Sequence, residues 1–225
     1  MKSNTSDFIR HMKIAMPAQM EYSVYLNTDK DKDKFIKRCE RIIRSSTEYR
    51  DYISFLKEHV DMDRCAFLNA VSAADSKRVK IEIHHEPFTL YDITAVVVER
   101  FMDSDMELNE LMIADEVMEL HYNNEVGLIP LSKTIHEVVH NSTKLVIPLN
   151  MVYGQYTNFL KDPKYEPYVE DLYSKLEKKI DATKNLTKES FDAITKEFTY
   201  LDIKDAKEVK KMSVGKETEM DNEVA

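Results

Sequence analysis

Glycine occurs only three times and proline six times in 225 residues, too few for a turn-rich β-sandwich or a low-complexity linker protein. The two cysteines, Cys39 and Cys65, stand alone with no CxxC spacing. That excludes a cysteine-based zinc finger and reads as two reduced thiols in a cytosolic setting. No run of 18 apolar residues occurs, so a membrane-spanning helix is not expected. Arg10, His11, Lys13 and Pro17 interrupt the first twenty-odd residues, which predicts an irregular arm rather than a signal peptide. Basic charge is also in deficit: 32 Lys and Arg against 41 Asp and Glu give a net charge of −9. An overall cationic coat for nucleic acid is thereby excluded, while a local cationic site is not. A soluble cytoplasmic protein is the expectation.

What is present is a mostly helical pattern. Apolar residues from Phe35 through Leu56 recur with the spacing of one or two amphipathic helices over 33–59. Eight basic side chains between Lys30 and Arg50 make this the most basic helix-length stretch. It reads as a solvated helix face, with a phosphate-facing surface as the alternative. Arg78 to His84 alternates strictly and predicts a half-buried strand ended by Pro87. Tyr91 to Met102 is ambiguous, since Val96-Val97-Val98 favours a strand and the length favours a buried helix. Glu110 to Tyr122 predicts a helix with Leu111, Ala114, Val117, Met118 and His121 on one side. Gly127 to Leu131 suits a second short strand. A helix follows to Asn141, capped by Ser132 or by Thr134 in a capping box with Glu137. Further helices are predicted over 152–160, 166–180 and 188–200, and a disordered tail from about Lys204. The expected organisation is an N-terminal arm and helical segment (1–62), a core with a helical insertion (63–162), C-terminal helices (163–203) and the tail (204–225).

Five of the seven histidines lie between residues 84 and 140. His136 and His140 are four apart on a predicted helix, so both project from one face as a metal clamp. His84, at the end of the predicted strand, supplies a third ligand. His85 then points elsewhere, because successive strand side chains diverge, and a near-neutral imidazole beside a metal-bound phosphate is a natural general base. His121 reads as a packed core histidine. Glu82 or Glu137 would orient a ligand histidine from behind.

The stretches IEIHHEP and GLIPLSKTIHEVVH resemble the two halves of an HNH endonuclease, the ββα-metal family, and are most similar to the colicin-type DNases. The resemblance runs from about Ile81 to His140. It implies an α+β fold, a mostly helical chain around a small ββα-metal motif. It further implies His84, His136 and His140 as ligands of one divalent ion (magnesium, manganese, zinc or nickel), His85 as general base, and DNA as substrate. The position of the family's central asparagine is Gly127; Asn123 and Asn124 lie just upstream, and one of them, Asn124 in the first place, substitutes only if the turn is rearranged. Ser132 and Ile135 stand where the family's outer zinc cysteines would be. Similar proteins are often carried by bacteriophages, which implies a bacterial host cytoplasm. Lys133, at a helix start, and Lys144 are candidate phosphate contacts. Phe101 to Ser132 carries eight acidic residues and no Lys or Arg, so DNA would approach from elsewhere and a protein partner is the alternative use of this insertion. The competing reading is a catalytically reduced protein that binds nucleic acid or protein.

Overall fold

The computed structural model of the chain describes residues 26, 28–68, 71–74, 79–104, 108–141, 145–184 and 186. The fold is α+β: seven helices and a two-stranded antiparallel sheet among the described residues. The basic stretch forms two helices, α1 (Asp29–Ser45) and α2 (Thr47–His59). Thr28 caps α1 by accepting the Asp31 amide, and Asp29 and Asp31 sit where the helix dipole favours negative charge. Ser46 divides the two helices. Its amide closes α1 on the Ile43 carbonyl, and its Oγ accepts the Tyr49 amide to start α2. Phe35, Ile36, Cys39 and Ile43 form the buried stripe of α1, and Tyr49, Tyr52 and Leu56 that of α2.

The ambiguous stretch is a helix, α3 (Leu90–Asp103). Its valines are buried with Leu90, Ile93 and Phe101, so core packing overrides the β-propensity of the run. A reciprocal capping box between Thr89 and Asp92 starts it. Helix α4 (Glu110–Tyr122) turns Ile113, Val117, Met118, Leu120 and His121 inward. Leu111 is a correction: it is 50% exposed, because the inward row begins at Ile113 and Leu111 falls on the outer side of the first turn. Several insertion carboxylates serve internal contacts, Glu110 with Arg38, Glu116 with Arg100 and Lys164, and Asp103 with the Tyr168 hydroxyl.

Strand β1 (Ile81–His85) pairs antiparallel with β2 (Leu128–Ser132), His84 opposite Ile129 and His85 opposite Leu128. The chain passes directly from β2 into α5 (Lys133–Asn141). Thr134 therefore already lies inside the helix, and the cap is Ser132, whose Oγ accepts the Ile135 amide, rather than the Thr134–Glu137 box. The helix expected over 152–160 is shorter: a 3-10 turn (Leu149–Met151), a bridge from Tyr153 to Leu128, then α6 (Tyr156–Lys161) after Gly154. A second 3-10 turn (Glu166–Tyr168) precedes α7 (Glu170–Lys184). The predicted arm, the helix over 188–200 and the tail lie outside the described residues.

Two apolar cores hold these elements. The larger runs through α1–α4 and is closed by Phe159, Tyr165, Val169 and Leu172, so it draws on each of the first three expected segments. The smaller lies under the hairpin and α5 and contains Cys65, Ile81, Ile129, Leu131, Ile135 and Ile147. Each fully buried Leu or Ile there contributes roughly 1.5–3 kcal/mol. The hairpin is thus gripped on two sides, which fixes the face of β1 that meets α5. No helix among the described residues is long and apolar enough to cross a membrane.

Candidate metal centre

Strand alternation puts Glu82 and His84 on one face of β1 and His85 on the other. Helix α5 packs over the first face. Its 3.6-residue period places His136 and His140 one above the other there, while Ile135 anchors the opposite side in the smaller core. His136 Nδ1 lies 2.6 Å from Glu82 Oε2, its Nε2 3.1 Å from His84 Nδ1, and His140 Nε2 is 3.0 Å from His136 Nε2. A carboxylate only accepts, so Glu82 takes the His136 Nδ1–H and leaves the lone pair on Nε2. The other His84 nitrogen, Nε2, faces Glu86 Oε2 at 3.5 Å. Each of the three histidines thus turns a nitrogen toward a common point, the three within 4.8 Å of one another. Imidazoles on one tetrahedral ion at ~2.1 Å sit about 3.4 Å apart. The observed spacing is slightly tighter, and a small outward rotation of the rings accommodates a cation. His84 is buried and His140 exposed, so the centre is closed on the strand side and open on the His140 side.

Two carboxylates stand behind the histidines. Glu82 holds His136, as one of the two expected candidates. Glu137 is exposed, pairs with Lys133 at 3.6 Å and touches none of the histidines. Glu86 was not singled out by the sequence reading, although it stands in the IEIHHEP stretch. It is 3% exposed, faces His84 with one oxygen and binds Lys179 of α7 with the other. Its partner lies 93 residues away, which no local spacing reveals. Arg44 of α1 was equally hidden. Burial lowers the proton affinity of His140, and the charges of His136 and Arg44 lower it further.

The remaining sequence candidates fall elsewhere. His85 is buried at 4% exposure on the other face of β1, its Nε2 2.9 Å from His121 Nε2 and its ring stacked on Tyr49. Burial among apolar groups, with the charges of His121 and Arg44 nearby, pushes its proton affinity well down. Lys133 is exposed at the first turn of α5, and Lys144 lies outside the described residues. Asn124 is also away from the histidine cluster. It adopts a left-handed φ of 60°, and its Oδ1 is the buried side-chain polar atom that lacks a hydrogen-bond partner among the described residues. Gly127 is demanded by a close approach: a Cβ there would lie 1.8 Å from the Glu86 carbonyl oxygen. That contact explains why no side chain occupies the place where the resemblance calls for asparagine.

Fold and site together define an α+β chain with a three-histidine cluster braced by two carboxylates. The chain belongs to the bacteriophage G278-like virion protein family, whose family model matches residues 2–213. No curated protein and no solved structure matches it.

Proposed function

We propose that this virion-family protein is a metal-dependent endonuclease of the HNH, ββα-metal type that hydrolyses DNA phosphodiester bonds. The supporting observation is the convergence of His84, His136 and His140 on a strand pair and the helix that follows it, with Glu82 behind His136. Three imidazoles suit zinc or nickel better than magnesium, which prefers oxygen ligands. A divalent cation held by His84, His136 and His140 would supply charge stabilisation to the phosphodiester as it breaks. His84, His136 and His140 bind, Glu82 and Glu86 hold two of those rings in register, and the open side beside His140 admits the phosphate. Water attacks phosphorus, the P–O3′ bond breaks and the leaving 3′-oxygen is protonated from solvent; His85, the proposed base, would have to turn from its contact with His121 toward the cluster to take the proton of the water. Lys133 and Lys144 are the proposed backbone contacts, so cleavage is weakly dependent on sequence. The place of action is the cytoplasm of the bacterial host.

The test is conversion of supercoiled plasmid to nicked or linear DNA by the purified chain with zinc, nickel, manganese or magnesium in turn. Cleavage lost in His85→Ala, with metal stoichiometry retained, supports the reading. Stoichiometric metal without cleavage under any of the four overturns it. The full burial of His85 and the virion family favour a second reading for that outcome: a metal-clamped, catalytically silent module of the particle that binds DNA or a protein. In that case chelation unfolds the chain without removing any activity.

A further inference from the structure

We propose that the outer face of α1 carrying Lys37, Arg41 and Arg44 binds the phosphate backbone of a DNA duplex beside the open side of the histidine cluster; the choice of DNA rests on the hydrolytic reading above. Helix periodicity sets this face. Phe35, Ile36, Cys39 and Ile43 turn into the larger core, and positions 37, 41 and 44 fall together on the opposite side. With Glu40 and Ser45 they line a surface recess of about 400 Å³. All three cations are exposed, and Arg41 makes no hydrogen bond or ion pair among the described residues. Arg44 uses two of its five donors on Glu40, from Nε at 3.0 Å and from Nη2 at 2.8 Å, so three remain for a ligand.

The course of α2 places this face next to the cluster. Tyr49 in its first turn lies flat on His85, with ring centroids 6.4 Å apart, and Lys57 in its last turn donates to the Ile81 carbonyl at 2.6 Å. Helix α2 therefore runs the length of β1, and its junction with α1 stands at the end of the strand that carries His84 and His85. Arg44 lies in the last turn of α1 at that junction, and its charge reaches His140, the exposed member of the cluster. The cationic row thus leads along α1 to the open side. Charge complementarity selects the occupant. The recess carries three cations against one carboxylate in a chain of net charge −9, whereas Phe101 to Ser132 holds no Lys or Arg. A polyanion is held by the first surface and repelled by the second. From Lys37 to Arg44 the helix rises about 10 Å, over which one strand of a duplex presents about three phosphates. Two of the three cations are arginines, whose planar fork matches a phosphate with two hydrogen bonds. The helix dipole accounts for a cation at Arg44 alone, because its effect fades beyond the last turn and Lys37 and Arg41 lie further back.

Fluorescence anisotropy of a short labelled duplex of arbitrary sequence, titrated with the full chain in excess chelator and again in zinc, tests this directly. Binding is expected in both, because the face needs no ion. Three neutralised phosphates give a slope of log affinity against log salt of about −2.7, at about −0.9 each. Arg41→Gln combined with Arg44→Gln should bring the slope to about −0.9 and weaken binding at least ~10-fold at ~0.1 M salt. Its Tm should stay within ~2 °C of wild type, since both side chains are exposed. Lys161→Gln combined with Lys184→Gln removes the same charge from exposed positions of α6 and α7 and should change affinity by less than about twofold. A wild-type chain that binds no duplex overturns the proposal. So does an Arg41/Arg44 variant that binds as wild type does, or an equal loss in the Lys161/Lys184 control. An Arg41/Arg44 variant that keeps duplex affinity and loses self-association in sedimentation would assign the face to the acidic insertion of a second copy instead. If the double variant does not fold, Arg41→Gln alone decides, with an expected change of about 0.9 in the slope. Duplex binding without plasmid cleavage leaves this proposal standing and removes only the hydrolytic reading. Cleavage at wild-type KM by the double variant removes this proposal and leaves that reading.

Discussion

Replacing Glu82 with glutamine isolates the contribution of one carboxylate to the metal centre. The hydrogen bond it would weaken is short, 2.6 Å from His136 Nδ1 to Oε2, and links a charge to a ring that must present its other nitrogen to the ion. Hydrogen bonds to charged groups contribute about 1.5–3 kcal/mol when shielded. Here Glu82 is 39% and His136 24% exposed in their side chains, so water screens the pair toward the lower end. Glutamine keeps an acceptor of the same reach, so the ring stays oriented and only the charge is lost. A loss of ~1.4 kcal/mol, a tenfold weaker zinc affinity, is expected and agrees with the ~10–100-fold usual for carboxylates behind metal-bound histidine. At a fixed saturating zinc concentration that loss appears in full as reduced stability, since a ligand bound only by the folded state stabilises by RT ln(1 + [L]/Kd). For a chain of this size it lowers Tm by about 3–6 °C.

Two measurements check the reasoning: zinc titration against a competing chelator, and thermal melts with zinc and with excess chelator. The metal-free melts of wild type and Glu82→Gln should agree within ~2 °C, because a half-exposed ion pair is worth about 0–1 kcal/mol by itself. An equal drop in Tm with and without zinc would mean that Glu82 supports the hairpin and not the ion. A zinc affinity unchanged within twofold would refute the carboxylate–histidine–metal arrangement itself. His136→Ala provides the scale, since it removes a ligand and should abolish stoichiometric binding.

Three further outcomes follow from individual contacts. Lys179→Met leaves the 3%-exposed Glu86 without its cation, and urea unfolding should register a loss of about 1–2 kcal/mol, below the ~3–5 of a fully buried pair because Lys179 is 38% exposed; the double variant with Glu86→Gln should recover part of it. Gly127→Asn, which introduces the asparagine that the HNH resemblance calls for, should destabilise by at least ~3 kcal/mol in the same assay, because a Cβ 1.8 Å from the Glu86 carbonyl forces the backbone next to β1 to move. Burial holds His121 down to about 4 from its ordinary 6.5, so the unfolded chain binds a proton that the folded chain refuses between those values. Its contribution, up to about 3 kcal/mol, is intact above pH ~6.5 and is lost as the pH falls toward 4; His121→Phe in the metal-free chain should show a correspondingly flatter decline of stability with acid.

The parts of the site that were legible in the sequence are those that repeat at the period of a single element. His136 and His140 share a helix face because they are four apart, and His84 with Glu82 share a strand face because they are two apart; each pair needs only its own backbone to be aligned. Helix α3 shows how the same logic fails. A helix buried nearly all round has no polar stripe, so Val96-Val97-Val98 carries no 3.6-residue signal; the length of the stretch pointed to a helix, and the Thr89–Asp92 box marks its start. Contacts between elements were not legible at all. His85 meets His121 across 36 residues and Glu86 meets Lys179 across 93, and neither partner carries a spacing that marks it.

That division has a consequence for the roles of the two adjacent histidines. His84 joins the exposed-side cluster with residues of α5, beside the smaller core. His85 belongs to the larger core through α2 and α4, where Tyr49, Tyr52 and His121 enclose it. A single peptide bond therefore joins a member of the three-histidine cluster to a ring packed by the helical insertion. The long insertion between the two halves of the histidine pattern, Phe88 to Val126, is then no ornament on the hairpin. It supplies His121, whose Nε2 lies 2.9 Å from that of His85. A shortened insertion that deletes α4 and still folds should keep stoichiometric zinc binding at the three histidines, and a truncated chain that lost it would make the cluster depend on the larger core as well.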